Sequence, residues 1–148
     1  MVLMWVLQGG PVGRVVAASA PAIRAKAESL GVLRHYWAFG LFLALLHSFL
    51  EEYYWRWFVF GRLRRGLPRG WAHLVAGACF AAHHVVIATQ YFPGGWGWLL
   101  GGLTGAGGIL WSWMYERQKS LAGPWLSHVL ADLGILAVGH QVLFGSWW

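Results

Sequence analysis

Long apolar stretches, separated by short loops that are rich in arginine, dominate this sequence of 148 residues. Hydrophobic residues make up 58% of the chain and charged residues only 11%, whereas a soluble domain carries about 25% charged residues. So few charges cannot cover the surface of a soluble protein of this length, and most of the outside must therefore face lipid. The twelve tryptophans agree with this conclusion, because tryptophan gathers at membrane–water interfaces.

Four apolar stretches are long enough to cross a bilayer as helices: residues 36–61, 71–91, 96–115 and 121–147. The second and third cover roughly 26–30 Å, close to the hydrocarbon thickness of a bilayer. In the third, glycines recur at steps of three and four residues, which lets helix backbones approach closely; they are Gly101, Gly105 and Gly108. The pattern predicts an all-α fold, a multi-pass transmembrane helical bundle with about four core membrane helices.

Residues 1–34 are less regular, because glycine, proline and charged residues interrupt their apolar stretches. We interpret them as a separate N-terminal helical segment, interfacial or within the membrane, and residues 35–148 as the main membrane domain. The loop at residues 62–70 contains four arginines, which is typical of a cytoplasmic loop. The net charge of +6 is concentrated in such loops and does not indicate nucleic-acid binding.

Four ionisable residues lie inside the apolar stretches, where they are costly and usually mark a functional protein interior or cavity. Counted from the basic loops at about 1.5 Å per residue, they lie roughly 14–21 Å deep; they are Glu51, His84, His128 and Asp132. Because three helices bring these side chains to a similar level, the sequence predicts one shared polar site.

Nearby residues receive other assignments. Glu52 and Arg56 are four residues apart with the acid first, the favourable order for an ion pair on a helix. His83 lies at the depth of His84 but is turned about 100° around the helix, so we assign it a secondary role. Two residues near helix ends are expected at the solvated surface: His73 and Glu116.

The residue types also limit the chemistry of this site. The sequence has no G-x-S-x-G or H-E-x-x-H segment, and it therefore does not support a serine hydrolase or a zincin. A glutamate beside a neutral histidine can take a proton from water and direct the water at a carbonyl group. A second histidine can donate a hydrogen bond to the oxygen that becomes negative. The residues alone indicate a hydrolase or a proton-handling site in a membrane.

Three segments, in order, resemble the motifs of the CAAX-protease and bacteriocin-processing (CPBP) family, also called the Abi family. The motif E-E-x-x-x-R corresponds to residues 51–56 (EEYYWR), F-x-x-x-H to residues 80–84 (FAAHH), and H-x-x-x-N/D to residues 128–132 (HVLAD). The resemblance extends over about residues 40–140 and identifies residues 35–148 as the catalytic domain.

The resemblance implies a glutamic-type intramembrane endopeptidase of the cell membrane that needs no cofactor. Glu51 would activate the water with the help of His84, and His128 and Asp132 would stabilise the oxyanion. Two further residues would support the site: Glu52 and Arg56. The family often has asparagine in the position of Asp132, and an aspartate can donate a hydrogen bond only when it is protonated. Otherwise Asp132 would orient His128.

Several alternatives stay open at this point. The same residues could form a zinc-dependent membrane protease, with the metal held by Glu51, His84 and His128. The chain could also be a non-catalytic immunity or scaffold protein that keeps the fold, or a proton- or ion-coupled transporter. The expected partners are the lipid bilayer and a membrane-embedded or membrane-anchored protein or peptide substrate. Prenylated C-terminal peptides, leader peptides and C-terminal sorting tails all fit as substrates.

Overall fold

The computed structural model describes residues 10–145, and within them the chain forms helices and no strand. The helical elements are α1 (Pro11–Ser29), α2 (Val32–Gly66), α3 (Arg69–Tyr91), α4 (Trp96–Gln118) and α5 (Ala122–Phe144). The predicted all-α helical bundle is confirmed.

Helix α2 changes its winding along its length. It begins with a 3-10 turn at Val32–His35 and contains two stretches of the wider π-helix, Phe42–His47 and Tyr53–Phe60. The α-helical turn between them, Ser48–Glu52, contains both glutamates of the first motif. π-Helical turns are rare and frequently occur at functional sites. The winding of α2 therefore indicates a functional site at the turn Ser48–Glu52, which is also where the sequence predicts one.

Two of the predicted helix boundaries are wrong. Helix α2 continues to Gly66, so three of the four arginines in the predicted loop lie on its last turns. Residues 61–66 contain no proline to end the helix, and α3 begins directly after Pro68, since proline is well tolerated at a helix start. Helix α5 ends at Phe144 instead of residue 147, because Gly145 takes a left-handed φ of 71°; residues 146–148 lie outside the described part.

Helices α3 and α4 form a hairpin whose backbones are in close contact through glycine. A Cβ atom at Gly101 would lie 2.6 Å from the Cα atom of Val85, and a Cβ atom at Gly97 equally close to the Cα atom of Thr89. On the facing helix, a Cβ atom at Gly77 would lie 2.9 Å from a backbone oxygen of α4. The close approach that the glycine spacing predicts is therefore confirmed.

Among residues 10–145, two helices are long and apolar enough to cross a membrane, α3 and α5. Helices α1 and α2 meet the same criterion only when they are taken together, with a bend of 85° between them. Helix α4 has the same length as α3, but its glycines and tryptophans lower its mean hydropathy and it does not qualify. The prediction of four membrane helices is thus supported for two or three of them. Many large apolar side chains are exposed on the outside of the bundle, as a lipid-facing surface requires.

Helix α1 confirms that much of the N-terminal segment is helical; residues 1–9 lie outside the described part. A side-chain nitrogen of Arg24 donates a hydrogen bond to the backbone oxygen of Leu143, which connects α1 to the end of α5. Gly31, with a φ of 68°, makes the turn from α1 into α2. The division into an N-terminal segment and a catalytic domain stays a prediction.

Candidate active site

An ion pair between Glu52 and Arg56 is completely buried in the bundle. Nε and Nη2 of Arg56 donate to the two carboxylate oxygens of Glu52 at 2.8 and 2.9 Å. The guanidinium carbon lies 4.7 Å from the ring centroid of Phe80 and 5.4 Å from that of Trp111. The pair that the four-residue spacing predicts is therefore confirmed, and aromatic rings adjoin it.

His128 connects α5 to this ion pair. Its Nδ1 atom lies 2.9 Å from Oε1 of Glu52, and its ring stacks on Trp111 with centroids 4.2 Å apart. A carboxylate that is ion-paired with an arginine can only accept hydrogen bonds, so Nδ1 of His128 carries the hydrogen and donates it. Sequence spacing predicts only the pairing of Glu52 with Arg56 and not this contact.

Three histidines approach the carboxylate of Glu51. Nε2 of His83 forms a hydrogen bond to Oε1 at 3.1 Å. Nε2 of His128 and Nδ1 of His47 lie 3.7 and 3.8 Å from Oε2. The side chain of Glu51 is 13% exposed, so it is mostly buried but still accessible to water. Helices α2, α3 and α5 thus converge on this carboxylate.

His84 and Asp132 complete the predicted group. Nδ1 of His84 donates to the backbone oxygen of Phe80 at 3.0 Å, which leaves Nε2 of the neutral ring free to accept a hydrogen bond. Oδ1 of Asp132 lies 3.6 Å from Nε2 of His128. The structure therefore brings all four residues of the predicted polar site together.

His83 has a larger part in this cluster than the sequence indicated. Although neighbouring residues point about 100° apart on a helix, its ring centroid lies 4.0 Å from that of His84 and its Nε2 atom reaches Glu51. The indole of Trp55 stacks almost parallel to it, with centroids 5.5 Å apart. The structure thus brings His83 to Glu51 together with His84, whereas the sequence assigns His83 a secondary role. The sequence signal for this contact with Glu51 is the presence of two successive histidines at the same depth.

A second charged cluster surrounds Glu116 at the arginine-rich end of the bundle. Arg64 and Arg69 donate to its two oxygens at 2.8 and 2.6 Å, and Nε2 of His73 lies 3.1 Å from one of them. Burial opposes ionisation of this carboxyl, but the hydrogen bonds from these three residues outweigh it and lower the pKa of Glu116 to about 2. The expectation that His73 and Glu116 lie at the solvated surface is wrong, because the ends of α2, α3 and α4 meet at this carboxylate.

The fold and the cluster around Glu51 together define a class: a helical membrane protein with a carboxylate–imidazole centre inside the bundle. Residues 33–134 match the model of the family described as type II CAAX prenyl endopeptidase Rce1-like, and the chain belongs to this family. It is therefore an integral membrane protein and a protease, and the matched residues include all three motifs. No curated protein and no solved structure matches the sequence.

Proposed function

We propose that this protein is an intramembrane endopeptidase in which Glu51 activates a water molecule for attack on a peptide bond. The contacts of Glu51 are the observation that carries this proposal. Glu52 is committed to Arg56, whereas Glu51 is 13% exposed and is approached by imidazoles from three helices. A carboxylate in such surroundings can take up a proton from water and pass it on.

The hydrogen bonds of the histidines suit this role. His83 occupies Oε1 of Glu51, which leaves Oε2 to accept a proton from the water. His84 uses Nδ1 on the backbone of Phe80, so its Nε2 atom can accept the second hydrogen of the same water. Glu51 and His84 together would orient the oxygen of the water towards the carbonyl carbon.

His128, once it is protonated on Nε2, and Asp132 are proposed to stabilise the oxygen that becomes negative during the attack. They lie one turn apart on α5, with Oδ1 of Asp132 3.6 Å from Nε2 of His128. Removal of one such donor in other hydrolases lowers kcat about 10²- to 10³-fold. Asp132 can donate only in its protonated form, and as a carboxylate it would instead orient His128.

The proposed substrate is a membrane-embedded or membrane-anchored protein. A lipid-modified C-terminal peptide is the first choice, because the matching family is described as one of CAAX prenyl endopeptidases. We place the protein in the cell membrane, with several helices crossing the bilayer.

Substitution of Glu51 tests the proposal directly. Glu51→Gln keeps the size of the side chain but removes the base, and it should lower the cleavage rate about 10²- to 10⁴-fold. The assay uses protein reconstituted in liposomes with a fluorogenic prenylated peptide, and in parallel with leader peptides and membrane-anchored tails. His35→Gln, at an exposed position in the first turn of α2, is the control and should keep full activity. Unchanged cleavage in Glu51→Gln would contradict the proposal.

A zinc-dependent protease is the second candidate. Glu51, His83 and His84 each offer one ligand atom within 4.8 Å of the others, and these ligand types suit zinc. The zinc set expected from the sequence has His128 in place of His83. With Nδ1 of His128 engaged by Glu52, the ligand atom would be Nε2, which lies 3.7 Å from Oε2 of Glu51. The glutamic mechanism predicts that EDTA leaves cleavage unchanged. Loss of cleavage in EDTA, with recovery on addition of zinc, would instead support the metal-dependent mechanism.

A further inference from the structure

We propose that Glu52 is a positioning residue that fixes the hydrogen of His128 on Nδ1, and that His128 carries a proton from Glu51 to the leaving amine. The inference rests on the proposed hydrolysis and extends it. It gives Glu52 a task besides its pairing with Arg56, and it gives His128 a part in proton transfer.

The contacts of Glu52 determine which ring nitrogen of His128 carries the hydrogen. Arg56 holds Glu52 as a carboxylate through two hydrogen bonds, and Oε1 of this carboxylate also receives the bond from Nδ1 of His128 at 2.9 Å. The ring cannot turn over without losing this bond, and it is stacked on Trp111 with an angle of 17° between the planes. In the neutral ring Nε2 therefore has a free lone pair.

The surroundings of Nε2 show where a proton would come from. This atom lies 3.7 Å from Oε2 of Glu51 and 3.6 Å from Oδ1 of Asp132. A neutral His128 with its hydrogen on Nδ1 cannot donate towards an oxyanion or a leaving nitrogen, so it must first gain a proton. Glu51, which takes a proton from water, is the adjacent source. The distance from Nε2 of His128 to Oε2 of Glu51 is slightly longer than a hydrogen bond, as is common for catalytic contacts without a bound substrate.

The proton transfers balance in three steps. An O–H bond of the water breaks, its proton moves to Oε2 of Glu51, and the oxygen of the water bonds to the carbonyl carbon. The π-electron pair of the carbonyl group moves onto its oxygen, which becomes the oxyanion. Glu51 then passes the proton to Nε2 of His128, which becomes a cation that the carboxylate of Glu52 stabilises. When the electron pair of the oxyanion re-forms the C=O bond, the C–N bond breaks and its pair remains on the nitrogen, and Nε2 gives its proton to this amine. Glu51 and His128 return to their starting states.

The other histidines of the cluster lack this arrangement. His47 is half-exposed, and its Nδ1 atom lies 3.8 Å from Glu51 itself. Nδ1 of His84 donates to an uncharged backbone oxygen, and Nε2 of His83 is occupied by Glu51. A buried carboxylate on the Nδ1 hydrogen orients an imidazole and stabilises its cationic form, as in the Ser-His-Asp triad. Glu52 provides such a carboxylate for His128, and Arg56 keeps it ionised.

Nitrogen NMR of the imidazole rings tests the tautomer without any need for catalysis. The full chain is labelled with ¹⁵N-histidine in detergent micelles, and the His128 signals are identified by their absence from His128→Gln. The wild-type protein should carry the hydrogen of neutral His128 on Nδ1. In the double variant Glu52→Leu/Arg56→Met the remaining acceptors lie beside Nε2, so the hydrogen should move there. A wild-type hydrogen on Nε2, or a tautomer unchanged in the double variant, would overturn the proposal.

Kinetics of the same variants test the role in proton transfer. Loss of the orienting carboxylate lowers kcat about 10⁴-fold in a serine protease, and we expect at least about 10²-fold for Glu52→Leu/Arg56→Met. In a His128→Gln background the same pair of changes should cost no more than about threefold, because residues that act as a unit are not additive. Losses that multiply would show that Glu52 acts independently of His128.

The apolar replacement of both charges guards against misfolding, since exchanging a whole buried ion pair for apolar residues is often tolerated. Glu116→Gln, which removes an ion-paired carboxylate in the other cluster, is the matched control and should leave kcat and the His128 tautomer unchanged. A wild-type protein without peptidase activity would contradict the proposed function, whereas the NMR result would still decide the arrangement of Glu52 and His128.

Discussion

The carboxylate of Glu52 and the guanidinium of Arg56 are joined by two hydrogen bonds, and neither side chain is exposed at all. Taking two charges out of water is expensive, and only their mutual attraction and further contacts offset this cost. The rings of Phe80 and Trp111 and the imidazole of His128 supply those contacts. The pair is therefore sensitive to the loss of one member and tolerant of the loss of both.

Arg56→Met should destabilise the protein by about 3–5 kcal/mol, because it leaves the Glu52 charge buried without its partner. Glu52→Leu/Arg56→Met should cost much less, because no charge remains unpaired. Thermal unfolding in detergent, followed by circular dichroism, measures both. If Arg56→Met were as stable as the double variant, the pair would not have the energetic role that its burial indicates.

His84→Ala and His128→Ala should each lower kcat about 10²- to 10⁴-fold. The first removes the Nε2 lone pair that is proposed to orient the water, and the second removes the proposed proton carrier. Membrane insertion, measured by alkaline extraction of membranes, should not change, since the backbone of both helices is preserved. Cleavage at the wild-type rate in either variant would exclude that residue from its proposed role.

Gly101→Ala should destabilise the protein by about 1–3 kcal/mol, the usual cost of overpacking. The new Cβ atom would lie 2.6 Å from the Cα atom of Val85, a backbone atom that cannot move aside cheaply. The neighbouring Gly102 has nothing within 4 Å of its Cβ position, so Gly102→Ala should stabilise the helix by about 0.5–1 kcal/mol. Unfolding in detergent compares the two, and equal effects would argue against close α3–α4 contact.

The cluster around Glu116 should make stability depend on acid pH. The pKa of this carboxyl falls from 4.5 to about 2 in the folded protein, so its ionisation stabilises the fold above the unfolded value. That contribution is lost as the pH falls from 4.5 to about 2. The difference in Tm between the wild type and Glu116→Gln should therefore be constant at neutral pH and disappear over this range. High salt should reduce it, since Arg64 and Arg69 are half-exposed. A difference that persists at pH 2 would contradict the assignment.

Much of the site could be predicted because membrane helices are regular. A fixed rise per residue relates sequence distance to depth, and this was enough to place Glu51, His84, His128 and Asp132 at one level. The four-residue spacing of an acid and an arginine likewise predicted the ion pair between Glu52 and Arg56. Both arguments depend only on position along one helix, and both agree with the structure.

The contacts that the sequence did not reveal depend on how the helices pack and on the reach of side chains. The angle between His83 and His84 is set at Cα, but an imidazole is long enough to bring both rings near Glu51. The bond from His128 to Glu52 joins residues 76 positions apart, and no periodicity within one helix predicts it. The positions of His73 and Glu116 near helix ends predict that they are exposed at the surface, but these helix ends pack together.

The glycine contact between α3 and α4 also limits how the bundle can move. Two backbones that are in contact over several turns cannot slide or rotate past each other without a clash. We therefore expect helices α3 and α4 to move as one rigid unit. Of the three histidines that approach Glu51, His83 belongs to this hairpin, whereas His47 and His128 belong to α2 and α5. We expect that a polypeptide reaches Glu51 by displacement of α2 or α5. The α3–α4 hairpin would keep His83 and His84 in place while the polypeptide enters.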